Sequence, residues 1–106
     1  MNQITVAELH QRLSENKNLH VIDVREQEEY DANNIGALLL PLSRLRNMNA
    51  DAIESWKDEE IIVHCRSGHR SMEACMLLQT LGFSRPVNLA GGIMAWQEQY
   101  GDQRIK

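Results

Sequence analysis

The feature that most constrains the fold is a set of short segments that are apolar at consecutive positions. Residues 60–64 read Glu-Ile-Ile-Val-His, and residues 19–24 and 86–89 have a similar character, so each is interpreted as a β-strand. Strands that are apolar at successive positions bury both faces, which is typical of a parallel sheet covered by helices. Residues 5–16 show helical spacing instead. We therefore predict an α/β fold with a central, mainly parallel sheet flanked by helices on both faces.

The remaining element boundaries follow from capping residues and from Gly, Pro and Asn. Thr5 and Glu8 form a capping box for a helix that ends at about Asn16. The other predicted elements are a short acidic helix at 26–31, a strand at 37–40 closed by Pro41, a helix capped by Asn49 that continues to Trp56, a helix from Ser71 that ends at Gly82, a turn at Gly91-Gly92, a closing helix through Ile93, Trp96 and Tyr100, and a polar tail at 101–106.

The length of 106 residues and the absence of a linker or low-complexity tract predict one domain over residues 1–106. Eleven basic and fifteen acidic side chains give a formal charge of −4, which argues against nucleic acid or an anionic membrane as a partner. We find no signal sequence and no membrane span, so we expect a cytoplasmic protein. In that reducing setting the two cysteines are expected to be thiols.

The segment after the strand at 60–64 concentrates reactive chemistry. Cys65 follows that strand and precedes a helix, so backbone N–H groups and the helix dipole are expected to converge on its sulfur and to favour the thiolate. Arg66 and Arg70 add positive charge, and Gly68 allows the backbone to turn into an anion-binding nest. Without these two arginines nine basic residues face fifteen acidic ones, a formal charge of −6. We predict a reactive Cys65 in a basic pocket.

Each of these residues also has a purely structural interpretation. A cysteine at a strand end is often a small core residue, and a pair of loop arginines is often solvated. We interpret Cys75 as an inert core thiol, because it lies on the apolar face of the helix after the loop. His64 is expected to be a partly buried strand residue, and His69 a loop residue that tunes the local charge. Adjacent strand residues point to opposite faces, so we predict no metal site.

Two further groups of charged residues have structural interpretations. Asp23 ends an apolar strand and is expected to lie at the same sheet edge as the Cys65 loop, bonded to backbone or to Arg25. The acidic run over 26–31 is expected to be a solvated face with a favourable charge near a helix start.

Together these segments resemble the single-domain rhodanese-like sulfurtransferases over nearly the whole chain. The segments that carry the resemblance are Asp23-Val24-Arg25-Glu26 with Glu29-Tyr30, Gly36-Ala37 leading to Pro41, Ile62 to Ser71, and Leu81-Gly82-Phe83 through Leu89-Ala90-Gly91-Gly92-Ile93-Met94-Ala95-Trp96.

The resemblance implies a sheet of about five strands and a Cys65 thiolate that takes a sulfane sulfur from a donor such as thiosulfate. The resulting persulfide would pass its sulfur to cyanide or to a thiol, on a small molecule or a protein. Arg66 and Arg70 would supply positive charge to the anionic donor. Ser67, Gly68, His69 and Ser71 would shape the nest, and no cofactor is called for. The chain departs from the family pattern at Asn33-Asn34-Ile35-Gly36, which lacks a Gly-His pair and one residue.

Two other functions compete with this hypothesis. A phosphatase loop carries one more residue between Cys and Arg than the four that separate Cys65 from Arg70, so the present loop suits a single sulfur better than a phosphoryl group. A non-catalytic binding or regulatory module of the same fold would have no need of a nucleophile in an intact basic loop.

Overall fold

Within residues 2–16 and 18–105, which the computed structural model describes, five strands form one parallel sheet. The strands are β1 (Asn2–Ile4), β2 (His20–Asp23), β3 (Leu38–Leu39), β4 (Glu60–His64) and β5 (Arg85–Leu89). Their order across the sheet is β1-β5-β4-β2-β3. All the pairings are parallel, which confirms the predicted α/β architecture.

The described residues also form five α-helices and one 3₁₀ segment. The helices are α1 (Val6–Glu15), α2 (Gln27–Ala32), α3 (Leu42–Arg46), α4 (His69–Thr80) and α5 (Gly92–Tyr100), and the 3₁₀ segment covers Asp51–Trp56. None of the helices in this part of the chain is both long and apolar enough to cross a bilayer.

The central strands bury both faces because successive side chains point to opposite sides. Val21, Ile62 and Val87 are in register on neighbouring strands and pack with α1 and α5. Ile22 and Val63, the next residues along their strands, pack on the opposite face with α3 and α4. Helices therefore cover both faces of the sheet, as the consecutive apolar positions predict.

Two predicted helix ends are confirmed in atomic detail. The hydroxyl of Thr5 accepts the N–H of Glu8 at 3.1 Å, and the Glu8 carboxylate accepts the N–H of Thr5 at 3.3 Å, so a capping box opens α1. Gly82 lies just beyond the end of α4 with φ +96°, a left-handed conformation that favours glycine.

Several sequence predictions need correction. β1 was not predicted; its three residues lack an apolar run and are held by register with Val87 to Leu89 of β5. α3 was also not predicted. The segment after Asn49 is 3₁₀ rather than α-helical, because Ile53 has non-helical φ and ψ and is fully buried. α4 begins two residues before Ser71, since Gly68 already serves as its N-cap.

The segment at 101–106, predicted to be a polar tail, packs onto the domain through its apolar residue. Ile105 is buried and its N–H donates to the carbonyl of Ile35 at 2.7 Å. The carbonyl of Gln103 accepts the indole N–H of Trp96 at 2.7 Å. Burial of one isoleucine and these two bonds explain the docking. Residue 106 lies outside the described part of the chain.

Candidate active site

Cys65 follows β4 directly, at the carboxyl edge of the parallel sheet, and is 1% exposed. Its sulfur accepts the N–H of Gly68 at 3.1 Å and lies 3.4 Å from the hydroxyl oxygen of Ser71. Gly68 has φ +110°, so the chain reverses within three residues and aims backbone N–H groups at the sulfur. The predicted nest around Cys65 is therefore present in the structure.

The amino end of α5 holds this loop from outside. The N–H of Ile93 donates to the carbonyl of Cys65 at 2.9 Å, and the N–H of Met94 donates to the carbonyl of Arg66 at 3.0 Å. In a trans peptide the C=O and N–H point in opposite directions. Binding these two carbonyls therefore turns the following N–H groups, including that of Ser67, toward the interior of the loop.

Gly92 permits this close approach between α5 and the loop. A Cβ atom at that position would lie 2.4 Å from the carbonyl oxygen of Cys65 and 2.6 Å from that of Arg66. Both atoms belong to the backbone, so no side-chain rotation could relieve the contact. The Gly91-Gly92 turn thus contributes to the geometry of the site.

The two cysteines differ in acidity. Burial raises the pKa of the Cys65 thiol, but hydrogen bonds from the Ser71 side chain and from the backbone N–H groups of Ser71, Gly68 and Ser67 outweigh it, so that the net pKa is below the ordinary value. Burial, followed by the nearby Cys65 charge, raises the pKa of Cys75 to about 12. Cys75 packs in the core between α4 and the sheet, as predicted.

Ser71 is part of a buried chain of side chains that the sequence analysis missed. While Cys65 is a thiol, its S–H donates to the Ser71 hydroxyl oxygen and that hydroxyl donates a short hydrogen bond to Oδ1 of Asn88; once Cys65 is ionised, its sulfur becomes a second acceptor for the same hydroxyl proton. Nδ2 of Asn88 donates to Oε1 of Gln3 at 3.0 Å. Ser71 and Asn88 are both buried. Asn88 interrupts an otherwise apolar strand, and a polar residue in such a strand must find a partner. That interruption was the available sequence signal.

Arg70 carries less free positive charge than predicted. Its guanidinium forms a bidentate ion pair with Glu29 of α2, with distances of 2.6 and 2.8 Å. Hydrogen bonding to Arg70 is the main reason that the pKa of Glu29 falls to about 2. Glu29 is thus an ionised partner of the loop, not simply one acid of a solvated face. Among the described residues, no carboxylate pairs with the exposed Arg66.

The predicted pair Asp23–Arg25 is confirmed at the same sheet edge. Asp23 is the last residue of β2 and is in register with His64, and its carboxylate accepts the N–H, Nε and Nη2 of Arg25 at 2.8 to 3.2 Å. Both residues are buried. Arg25 also donates to the carbonyl of Asn33 at 2.8 Å, so this ion pair fixes the start of the segment that departs from the family pattern.

His64 is fully buried, not partly buried as predicted, because it ends β4, which lies in the middle of the sheet between β5 and β2. Its Nδ1 lies 3.2 Å from the carbonyl oxygen of Cys65, and its Nε2 lies 3.6 Å from the Asp23 carboxylate. Burial lowers its pKa, and the nearby Asp23 only partly opposes this. Among the described side chains, Nε2 of His64 is the one buried polar atom without a hydrogen-bond partner.

Ser67 and His69 occupy the exposed side of the loop. The hydroxyl of Ser67 lies 3.4 Å from Nδ1 of His69, and the side chains of both residues are exposed. Ser67 acts on the Cys65 sulfur through its backbone N–H rather than its side chain. Within residues 2–16 and 18–105, no group of three or more His, Cys, Asp or Glu side chains is arranged to hold a metal ion.

An open groove of about 340 Å³ lies beside the loop. Its walls come from α2, from the start of α5 and from Arg66, and they include Glu29, Asn33, Ile93 and Gln97. A larger groove of about 510 Å³ is lined by residues of α1, α5 and 103–105 and contains no residue of the Cys65 loop. The groove beside Arg66 is therefore the better candidate for substrate access.

The chain is similar to known proteins over most of its length. Residues 5–99 match the model of the rhodanese-like domain. A sulfurtransferase of Allochromatium vinosum is 36% identical over 97 residues, which cover 91% of this chain and 88% of the relative. The human thiosulfate:glutathione sulfurtransferase is 32% identical and is aligned over 74% of this chain and 79% of its own. A rhodanese-like domain protein of Staphylococcus aureus superposes with a TM-score of 0.78 at 34% identity, covering 91% of each chain.

Proposed function

Because the chain belongs to the rhodanese-like domain family, we propose that it transfers a sulfane sulfur from a donor such as thiosulfate to cyanide or a thiol through a persulfide on Cys65. Sulfurtransferase activity is the function that its relatives support. The observation that carries the proposal is the Cys65 sulfur itself, which is buried among N–H and O–H groups that lower its pKa. A thiolate is the form of cysteine that can act as a nucleophile.

The proposed reaction consists of two displacements. The Cys65 thiolate attacks the outer sulfur of thiosulfate, the S–S bond of the donor breaks, and sulfite leaves with the bonding electron pair. The product is a Cys65 persulfide anion. A thiolate or cyanide then attacks the terminal sulfur of the persulfide, and the Cys65 thiolate leaves. Atoms and charges balance in both steps, and neither step needs an external oxidant.

The loop residues have distinct proposed roles. Arg66 and Arg70 attract the anionic donor and the leaving sulfite. The backbone N–H groups of Ser67 and Gly68, with the hydroxyl of Ser71, stabilise the negative charge of the thiolate and of the persulfide. His69 shapes the outer rim, where it lies beside Ser67.

We propose that residues 1–106 form one cytoplasmic domain, which takes sulfur from a small anionic donor and passes it to a thiol or a protein. Both hydrophobic clusters pack against the same sheet, and the family match extends over residues 5–99. A non-catalytic module of the same fold is the competing function, and a phosphatase is a weaker one. The lowered pKa of Cys65 favours catalysis over the first, and the four-residue spacing to Arg70 argues against the second.

The test is sulfur loading followed by mass measurement. After incubation with thiosulfate, the intact protein should gain the mass of one sulfur atom, and cyanide should remove that sulfur as thiocyanate. Cys65→Ser should abolish the gain. Cys75→Ala, which removes the other thiol and suits the apolar core, is the matched control and should retain it.

Three results would contradict the proposal. Sulfur on Cys75 would overturn the assignment of the nucleophile. A folded protein that takes up no sulfur would support the non-catalytic module. Turnover of a phosphate ester that is lost in Cys65→Ser, without sulfur uptake, would support the phosphatase.

A further inference from the structure

Glu29 is an ionised side chain at the mouth of the site that the proposed reaction does not use. We propose that Glu29 is a specificity-determining residue: it reduces the charge of the two loop arginines from +2 to a net +1 and so favours singly charged or neutral sulfane-sulfur donors over dianions. This inference rests on the proposed sulfur transfer. It adds a preference among donors, which the Cys65 chemistry alone does not set.

The first support is the rigid placement of Glu29. One carboxylate oxygen accepts from Nη1 of Arg70 at 2.6 Å, and the other accepts from Nη2 at 2.8 Å. The backbone N–H of Glu26 also donates to this carboxylate at 3.2 Å, which completes a capping box at the start of α2. A carboxylate with three donors has little freedom to leave the loop when a substrate arrives.

The second support is the location of Glu29 relative to the reacting groups. Its side chain lines the same groove as Arg66, the residue that follows Cys65. Hydrogen bonds to Glu29 are the main reason that the pKa of its partner Arg70 is raised, and the nearby Cys65 charge adds to that effect, so Arg70 lies between Glu29 and the reacting sulfur. The negative charge of Glu29 therefore acts on any donor that approaches the Cys65 sulfur through this groove.

The third support is the charge count at the site. Arg66 and Arg70 contribute two positive charges, and Glu29 removes one of them. The neighbouring pair Asp23–Arg25 is buried and neutral as a unit. These fixed charges sum to +1 around the sulfur, half the positive charge that the loop sequence indicates, and the Cys65 thiolate offsets the remainder. The loss of one positive charge therefore disfavours a dianionic donor more than a monoanionic one.

Two donors of the same reaction class separate this charge effect from the chemistry. Thiosulfate carries two negative charges, and methanethiosulfonate carries one. With either donor the Cys65 thiolate attacks the outer sulfur and the S–S bond breaks. Sulfite leaves from thiosulfate and methanesulfinate leaves from methanethiosulfonate, each with the bonding electron pair. The ratio of kcat/KM for thiosulfate to that for methanethiosulfonate therefore reports the charge preference of the site.

The experiment compares wild type with three variants at low ionic strength. Glu29→Gln raises the site charge by one, Arg70→Ala lowers it by one, and the double variant restores the wild-type value. We expect the donor ratio to rise roughly fivefold in Glu29→Gln, to fall in Arg70→Ala and to return to near the wild-type value in the double variant. Added salt should shrink these differences, because mobile ions screen the charges.

Glu60→Gln is the matched control. Glu60 begins β4, at the opposite edge of the sheet from Cys65, and it also pairs with an arginine, Arg12. This variant makes the same charge change away from the site and should leave the donor ratio at its wild-type value. Melting temperatures of all variants show whether each one is folded.

The outcomes separate the inference from the proposed function. If wild type takes sulfur from both donors and the ratio does not respond to Glu29→Gln, the specificity role is wrong and the sulfur transfer stands. Alternatively, the donor ratio of the double variant falls as far as that of Arg70→Ala. That result would show that Arg70 contacts the donor directly and that the net charge of the site does not set the donor preference, which also overturns the inference. If wild type takes sulfur from neither donor, both proposals fall.

Discussion

The carbonyl oxygen of Cys65 accepts a hydrogen bond of 2.9 Å from the N–H of Ile93, which joins the proposed nucleophile to a helix that begins 27 residues later in the chain. This contact requires a glycine at position 92, because the two backbones meet there. The conformation of the Cys65 loop therefore depends on the Gly-Gly turn as much as on the loop's own sequence.

Gly92→Ala is expected to destabilise the protein and to abolish sulfur uptake. The added methyl group would collide with two backbone carbonyls, and the positive φ of +55° is itself unfavourable for alanine. We expect a loss of more than about 2 kcal/mol of unfolding free energy, measured by urea denaturation. Gly82→Ala is the control, since it has a positive φ but no atom closer than 3.7 Å to the added Cβ. It should cost about 1 kcal/mol and leave sulfur uptake intact.

Ser71→Ala is expected to make the Cys65 thiol less acidic. The Ser71 hydroxyl is the foremost of the hydrogen bonds that lower the pKa of Cys65, and alanine cannot replace it. The measurement is the pH dependence of alkylation by iodoacetamide, whose midpoint should move to higher pH. Ser67→Ala should behave as wild type, because Ser67 reaches the sulfur through its backbone N–H. If the midpoint is unchanged in Ser71→Ala, the Ser71 hydroxyl does not lower the pKa of the Cys65 thiol.

Asp23→Asn should destabilise the fold by about 3 kcal/mol or more, because it leaves the Arg25 guanidinium buried without a counter-charge. Urea denaturation measures this loss. Glu73→Gln is the comparison, since its partner Arg46 is solvent-exposed and solvent screens the pair. That variant should show no measurable change. Equal effects of the two substitutions would contradict the importance of burial at Asp23.

His64 should make the folded state sensitive to mild acid. Burial lowers its pKa from 6.5, so the unfolded chain binds a proton more readily than the folded protein. The stability that comes from burying neutral His64 is fully present above about pH 6.5. It is lost as the pH falls toward the pKa that His64 has in the folded protein. Urea denaturation at pH 7.5 and at pH 5.5 gives the unfolding free energy at each pH. The difference between the two values should be smaller in His64→Phe than in wild type. His69→Gln, which changes an exposed histidine, should keep the wild-type difference.

The sequence predicts well those features that are local. The capping box at Thr5 and the strand that ends before Cys65 each depend on residues a few positions apart, and Gly68 alone signals the turn that aims an N–H group at the Cys65 sulfur. The direction of the Cys65 pKa shift could be predicted from that turn, whereas the contacts of α5 that hold the loop could not. Cys75 was correctly placed in the core for a similar reason, the spacing of apolar residues along one helix.

Most of the features that escaped prediction depend on contacts between distant parts of the chain, although α3 and the early start of α4 are local. Glu29 and Arg70 are 41 residues apart, and only the packing of α2 beside the loop brings them together. β1 becomes a strand because β5 supplies its hydrogen-bonding partner. Asn88 reaches Ser71 only after β5 lies beside β4. One sequence does not show which distant residues will meet, so the charge of the loop was overestimated.

The edge position of β1 next to β5 has a consequence for folding. β1 can pair only when residues 85–89 are in place, and the Cys65 loop is held only when Asn88, Ile93 and Met94 have reached it. The strand that carries Cys65 is therefore not enough to build the thiolate site, because the backbone of the loop is fixed by residues more than twenty positions further along the chain. The environment of the Cys65 sulfur is a property of the closed domain.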